Sequence, residues 1–230
     1  MKSHLKRLAM PKTWDIKRKS TKYVLRPLPG SHTLDSSIPL QTVLRDVLKV
    51  AKTAKEVRYI LNEKSVLVNG KKRLEVKYPV GLMDVIDIPD LKKSYRILFN
   101  QKGKIFTHEL KPTEKDLVPF KIKNKSYIKK GKIQLNFTDG SNLLVDKDTY
   151  KTDDVIIFDI TKKKITKHIE FQKGSLVYLT GGNCVGYNAK IEDIKEDNIL
   201  IKLNKGEIFE TSKRYAFVLG KSKLNISLPE

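Results

Sequence analysis

The chain has 230 residues, of which 47 are Lys or Arg and 26 are Asp or Glu, so its formal net charge is +21. Hydrophobic residues make up 39% of the chain, enough for buried cores, and no apolar run approaches the roughly 18 residues that a membrane-spanning helix needs. The single cysteine, Cys184, excludes an intrachain disulfide and a cysteine-rich zinc site. The N-terminus lacks the apolar stretch of a secretory signal, so we expect a cytosolic protein without a membrane partner.

Positive charge is distributed over four segments that we predict to be separate domains. The net charge is +7 for residues 1–38, +3 for 39–90, +9 for 91–170 and +2 for 171–230. A basic tail would make one flexible contact, whereas this distribution indicates several folded surfaces. Because a compact fold with this imbalance repels itself, the charge favours a polyanionic partner.

Residues 1–38 are predicted to form a basic extended arm, because prolines and dense charge interrupt any regular period. Trp14 lies among these cations, and its ring is available either to stack on an unpaired base or to pack against the body of the protein. We expect the arm to become ordered when it binds RNA. Its candidate RNA-binding residues are Lys6, Arg7, Lys12, Trp14, Lys17, Arg18 and Lys19.

Residues 39–90 contain two predicted helices. Apolar residues recur at helical spacing across Leu40–Leu48 and predict the first of them. The pair Thr53 and Glu56 has the spacing of a capping box, which predicts the start of the second helix. The residues expected to face inward from this second helix are Val57, Ile60 and Leu61.

The same segment continues into predicted strands. Ser65–Val68 indicates a short strand, and Asn69-Gly70 is typical of a type I′ hairpin turn, because both residues tolerate a positive φ. Met83–Ile88 alternates and predicts a final strand. We call residues 39–90 the helix–hairpin module.

Cations lie off the apolar stripes of this module and point to RNA phosphates, although a solvated charged face remains the simpler interpretation. Three converging clusters in a chain of charge +21 favour the RNA-binding interpretation. The candidate RNA-binding residues of the module are Arg45, Lys49, Lys52, Lys55, Arg58, Lys71, Lys72 and Arg73.

The order of these elements resembles the S-four RNA-binding domain, which binds structured RNA with its two helices and the following loop. The resemblance rests on the hairpin sequence Val66–Gly70 and on Met83–Ile86, although the common form has Gly-Asp where this chain has Met83-Asp84. That variant, with the stretches His4–Trp14 and Pro29–His32, is similar to the S-four-e family of small-subunit ribosomal proteins in archaea and eukaryotes. The resemblance covers essentially the whole chain.

Residues 91–170 are predicted to be a central β-rich domain. Ile133, Leu135 and Phe137 alternate with polar residues, as in a half-buried strand. Asp139-Gly140 is a second hairpin signal. The stretch Lys162–Lys164 indicates a cationic turn, which either contacts phosphate or only aids solubility.

Residues 171–230 are predicted to form a small SH3-like barrel, because short strands follow one another with a glycine turn at Gly181-Gly182. The segment resembles the KOW motif of ribosomal and transcription-elongation proteins. That family usually has a second glycine where Ala189 stands, so RNA contact by this loop is left open.

No catalytic constellation is visible in the sequence. The four histidines lack metal-ligand spacing, and the glycines at 181, 182 and 186 fit neither phosphate-binding pattern. Cys184 has no evident base beside it in sequence. We therefore expect no catalytic residue, no metal site, no cofactor and no small-molecule substrate.

These observations predict an α+β, multi-domain chain: a basic arm, a small α/β S-four-type RNA-binding domain, a central β-rich domain and a C-terminal SH3-like KOW barrel. The resemblance implies a structural constituent of the small ribosomal subunit that binds small-subunit rRNA and neighbouring ribosomal proteins, cytoplasmic and ribosome-bound. Two alternatives are an RNA-modifying enzyme with an S-four domain, which would need an active-site Asp in an Arg-Leu-Asp context, and a KOW-bearing transcription elongation factor.

Overall fold

The computed structural model describes residues 4–128, 131–203, 206–221 and 226–228. The chain divides into two compact units. The first unit is Met1–Phe99 with Lys104–Asp116, and the second is Asn100–Gly103 with Leu117–Glu230. In the described residues, no helix combines the length and the apolar character needed to cross a membrane.

The N-terminal segment of the first unit is folded rather than extended, which corrects the prediction of an arm. Strand β1 (Leu5–Lys6) pairs antiparallel with β2 (Tyr23–Val24). Trp14 is 2% exposed, and its indole Nε1 donates a hydrogen bond to the Ser37 carbonyl at 2.7 Å. Prolines break the regular structure of this segment, but its tryptophan supplies the apolar anchor that fixes it to the rest of the unit.

The first helix of the module is less regular than its periodicity predicts. Strand β3 (Ser37–Pro39) leads into one turn of helix, α1 (Leu40–Thr42), and the chain continues as a π-helix over Val43–Val47. The Leu48 amide donates to the Val43 carbonyl at 2.8 Å, a spacing of five residues. Leu40, Val43 and Leu44 are nonetheless completely buried, so this part of the predicted apolar stripe forms, whereas Val47 and Leu48 are only partly buried.

The second helix, α2 (Ala54–Glu63), begins where the capping box predicts. The Glu56 amide donates to Thr53 Oγ1 at 3.2 Å, and the Glu56 carboxylate accepts hydrogen bonds from the amides of Lys52 and Thr53. These bonds, that from Lys52 above all, lower the pKa of Glu56 because they stabilise its charged form. Val57 and Leu61 are fully buried and Ile60 is partly buried, so the inward face is confirmed.

A five-stranded antiparallel sheet, in the order β5-β4-β7-β8-β9, follows α2 in the first unit. Asn69 and Gly70 have φ of 48° and 70°, which confirms the predicted turn between β4 and β5. A separate two-stranded pairing joins β3 to β6 (Pro79–Gly81). The strands of the five-stranded sheet are β4 (Leu67–Val68), β5 (Lys71–Lys72), β7 (Val85–Ile88), β8 (Lys93–Phe99) and β9 (Ile105–Glu109).

The alternation predicts that the final strand begins at Met83, but it begins at Val85. Leu82 and Met83 instead form a tight turn, which the Asp84 amide closes by donating to the Gly81 carbonyl at 3.2 Å. Met83 has φ of 66°, a left-handed conformation that favours glycine, which explains why the common form of the motif has Gly there. The Asp84 carboxylate accepts hydrogen bonds from His32 Nε2 at 2.9 Å, Asn69 Nδ2 at 2.7 Å and the Gly81 amide at 2.8 Å. One buried carboxylate therefore joins three separate parts of the first unit.

We expect Gly81→Ala to lower the free energy of unfolding by roughly 1–3 kcal/mol, because overpacking a buried site costs about this much. A Cβ at position 81 would lie 2.3–2.5 Å from the ring atoms of His32. Urea denaturation measures the change. His32→Ala empties the same space, so the cost of Gly81→Ala should shrink in that background, and an equal cost in both backgrounds would contradict the steric explanation.

The central part of the second unit is a five-stranded antiparallel sheet in the order β12-β11-β10-β13-β14. Ile133, Leu135 and Phe137 are buried with Ile122 and Ile156 in one core, which confirms the predicted alternation. The predicted turn at Asp139-Gly140 connects β11 to β12, with Gly140 at φ 80°. The strands are β10 (Leu117–Tyr127), β11 (Ile133–Phe137), β12 (Asn142–Val145), β13 (Val155–Asp159) and β14 (Lys164–Ile169).

A second five-stranded antiparallel sheet of this unit has the order β18-β17-β16-β15-β19. Its inward residues, such as Val177, Ile191 and Ile201, are about 1% exposed or less. Its strands are β15 (Leu176–Leu179), β16 (Asn188–Ile194), β17 (Asn198–Leu203), β18 (Ile208–Ser212) and β19 (Ala216–Gly220). With α1 and α2 as its two short α-helices among the described residues, the chain is a mostly β, multi-domain protein.

A buried lysine links the two sheets of the second unit. Lys121 on β10 is 5% exposed, and its ammonium donates to the carbonyls of Lys213 at 3.0 Å, Arg214 at 3.3 Å and Ala216 at 2.8 Å. It also pairs with the Asp153 carboxylate at 3.0 Å. Burial lowers the pKa of Lys121, and Asp153 opposes this change.

Candidate nucleic-acid interface

Helix α2 presents its cations on the face opposite to its buried residues. Since Val57 and Leu61 fix the inward face, Lys55 and Arg58 project into solvent. Within the part of the chain that the structure describes, neither forms an ion pair with a carboxylate. Both cations are therefore free to neutralise phosphates.

The β4–β5 hairpin adds two exposed lysines beside this helix. Lys71 and Lys72 form β5, and the Lys72 ammonium donates to the Asn62 carbonyl in α2 at 3.5 Å. A cation near the carbonyl end of a helix is favoured by the helix dipole. This contact brings the hairpin cations and the α2 cations into one surface.

A tyrosine that the sequence analysis did not single out belongs to the same surface. Tyr59 follows Arg58 on α2, lies four residues after Lys55 and is 63% exposed. An exposed ring between cations is suited to stack on an unpaired base. The helical spacing from Lys55 was the signal that could have identified it. We name Lys55, Arg58, Tyr59, Lys71 and Lys72 the α2–hairpin surface.

Arg73 packs against the protein, unlike the other hairpin cations, which are exposed. Its guanidinium lies over the Tyr78 ring, 4.3 Å from the ring centroid, and it is only partly exposed. This cation–π contact holds the return strand against the module. Arg73 therefore lies next to the α2–hairpin surface without projecting freely from it.

The cations around the first helix differ in exposure and in whether a carboxylate compensates their charge. Arg45 makes a bidentate pair with Asp46, with donor–acceptor distances of 2.7 and 3.2 Å, so its charge is partly compensated. Lys49 and Lys52 are exposed, and Lys49 has φ of 55° at the end of the helical region. The two lysines are available to a polyanion.

In the N-terminal segment, the structure separates exposed cations from buried residues. The burial of Trp14 corrects its assignment as a base-stacking residue, because its ring packs in the first unit. Its main-chain neighbour Thr13 accepts a hydrogen bond from the Ile105 amide at 2.7 Å, which holds the segment in place. The exposed candidates of this segment are Lys6, Lys12, Lys17 and Lys19.

Two arginines of the segment use their side-chain donors within the protein. Arg7 is 7% exposed and donates hydrogen bonds to the Lys17 carbonyl and to Thr21 Oγ1. The Arg18 guanidinium donates to the carbonyls of Leu8, Met10 and Pro11 at 3.1–3.2 Å. Their charge still contributes to the field of the segment, but their donors hold the chain together.

The described residues contain no group of three or more His, Cys, Asp or Glu that could hold a metal ion. Burial, and secondly the charge of Glu207, raise the pKa of Cys184, the opposite of what an activated thiol requires.

Comparison with known proteins identifies the family along the whole chain. Three family models match consecutive segments: the RS4NT domain at residues 1–35, the S4 domain at 38–86 and Ribosomal family S4e at 91–165. A small ribosomal subunit protein eS4 from Methanocaldococcus jannaschii is 44% identical, covering 99% of this chain and 98% of its own length. The eS4 protein of Methanococcus vannielii is 41% identical with the same coverage.

A solved structure agrees with these matches. The crystal structure of the 30S ribosomal protein S4e from Thermoplasma acidophilum has a TM-score of 0.71 and 32% sequence identity, and covers 83% of this chain and 98% of that one. The sequence resemblance to the S-four-e family is thereby confirmed. With an S4 domain followed by an S4e region, and relatives that match over nearly their full length, the chain belongs to the S4e family of ribosomal proteins.

Proposed function

We propose that the chain is a structural constituent of the small ribosomal subunit, where it binds rRNA without catalysing a reaction. The observation that carries this function is the full-length match to small-subunit proteins of the S4e family. The net charge of +21, distributed over both units, supplies the attraction to a polyanion. The chain accordingly acts on the cytoplasmic ribosome.

The α2–hairpin surface is the part of the first unit that we propose for the main rRNA contact. Its four cations neutralise phosphates, and the Tyr59 ring offers a face to an unpaired base. Lys49 and Lys52 extend the cationic surface toward the first helix. Since several modules bind one RNA, each bound module raises the effective concentration of the next.

The second unit is proposed to contribute further contacts with rRNA and neighbouring ribosomal proteins. Its C-terminal five-stranded sheet has the strand number of the predicted SH3-like KOW barrel, and Gly181-Gly182 follows β15 as that pattern requires. The cationic turn before β14 exposes Lys162 and Lys163. Apolar side chains such as Tyr127 and Leu144 are exposed and suit contact with a protein neighbour.

The two alternative functions receive less support. An RNA-modifying enzyme needs a catalytic domain, whereas the family matches fill residues 1–165 with binding modules and the S4e region. A transcription elongation factor would place the chain with RNA polymerase. Sucrose-gradient fractionation of a lysate separates these possibilities, and we expect the chain to sediment with small subunits.

Salt dependence measures how many contacts the chain makes. We expect the logarithm of its affinity for small-subunit rRNA to fall by about 0.7–0.9 for each phosphate contacted, per unit of log salt concentration. Several cationic surfaces acting together should give a steep total slope. A slope equivalent to one or two phosphates would contradict binding through many surfaces.

A further inference from the structure

A cavity of about 520 Å³ lies within the first unit, between the N-terminal segment and the first helix of the module. It is distinct from the α2–hairpin surface. Its volume lies in the range of about 300–1,000 Å³ that is typical of small-ligand sites. The side chains that matter for the argument are Tyr23, Gln41, Arg45, Asp46 and Lys52.

Gln41 provides an unused hydrogen-bonding group at the wall of this cavity. Its side chain is 7% exposed, and its amide makes no hydrogen bond to any residue in the described part of the chain. Because it lines the cavity, this amide is open to a polar ligand there. An amide offers both a donor and an acceptor, as the edge of a nucleobase does.

The other lining groups fit the remaining parts of a nucleotide. Tyr23 is 50% exposed and presents an aromatic ring for stacking. Lys52 and Arg45 supply positive charge for a phosphate. The Asp46 carboxylate accepts two hydrogen bonds from Arg45, which orient both side chains and leave lone pairs that can accept from a base N–H.

We propose that this cavity accepts one unpaired nucleotide of rRNA, with its base against Gln41 and Tyr23 and its phosphate near Lys52 and Arg45. The proposal rests on the proposed rRNA-binding function and adds to it a site that reads a base rather than the RNA backbone. The exposed Lys49 beside the first helix favours a nucleotide within an RNA chain, because it provides for an adjoining phosphate.

The test compares Gln41→Leu and Tyr23→Ala with the wild-type full-length chain in binding to a small-subunit rRNA transcript. We expect each variant to bind roughly tenfold more weakly at a salt slope that does not change, because neither residue contacts a phosphate. Gln41→Leu should unfold at about the same urea concentration, since the Gln41 amide makes no hydrogen bond within the described part of the chain. Tyr23 is exposed, so its replacement leaves the fold intact.

Crosslinking and mononucleotides distinguish the remaining outcomes. With 4-thiouridine in the transcript, we expect Tyr23 to crosslink to one unpaired position, and this crosslink to disappear with Gln41→Leu. Wild-type affinity in both variants would overturn the proposal, because it would show that the cavity does not bind the transcript. A mixture of free nucleoside monophosphates that displaces the transcript at micromolar concentration would overturn the preference for RNA. Failure of the wild-type chain to bind rRNA would contradict the proposed function itself.

Discussion

Replacing both Lys55 and Arg58 with Glu is expected to weaken binding to small-subunit rRNA by roughly 100-fold at physiological salt, because two attractive phosphate contacts become repulsive. The slope of log affinity against log salt should become shallower by about 1.5 units. Val57 and Leu61, which anchor the opposite face of α2, are unchanged. Filter binding across a salt series measures both quantities, and thermal unfolding should shift little.

The matched control for this variant is the double replacement of Lys195 and Lys202 with Glu in the C-terminal sheet. Both lysines are exposed, and Lys202 lies 3.4 Å from the Glu192 carboxylate, so part of its charge is already compensated. The same change in net charge should then reduce affinity much less. If the Lys55/Arg58 variant binds as tightly as wild type, the α2–hairpin surface is only a solvated charged face.

Lys121→Ala is expected to lower the free energy of unfolding of the second unit by roughly 2–4 kcal/mol. The change removes a buried ammonium that donates to three main-chain carbonyls and pairs with Asp153, so these acceptors lose their charged donor. Urea denaturation followed by tyrosine fluorescence measures the effect.

Lys123→Ala is the control for this prediction, because Lys123 belongs to the same strand but is exposed. Its replacement should change the free energy of unfolding by less than about 0.5 kcal/mol. Equal effects of the two replacements would show that the buried ammonium has no special role. Lys121→Met, which restores volume but not the hydrogen bonds, should recover only part of the lost stability.

Local patterns in the sequence predicted most of the elements around the candidate surface. The capping box at Thr53 and Glu56 acts through neighbouring residues, and the Asn69-Gly70 turn depends only on backbone conformations that those two residues tolerate. The alternation of Ile133, Leu135 and Phe137 reflects which face of a strand is buried. These features required no knowledge of distant contacts.

Features that depend on distant contacts could not be predicted in the same way. Trp14 is buried because its indole meets Ser37, and no period in the sequence indicates that meeting. Met83 adopts a left-handed turn although its neighbours alternate like a strand. Lys121 is buried by carbonyls about 90 residues away, whereas composition alone would place a lysine in solvent.

Long-range contacts set the order in which the first unit can complete its fold during synthesis. The Asp84 carboxylate joins His32 and Asn69, which are synthesised before it. The contact between Trp14 and Ile105 forms later still, because it requires that Ile105 has been translated. The first unit therefore reaches its final packing only after more than a hundred residues have emerged. A fragment cut at the borders of residues 39–90 would lose His32 and Trp14, so an excised module is a poor substitute for the whole chain in binding assays.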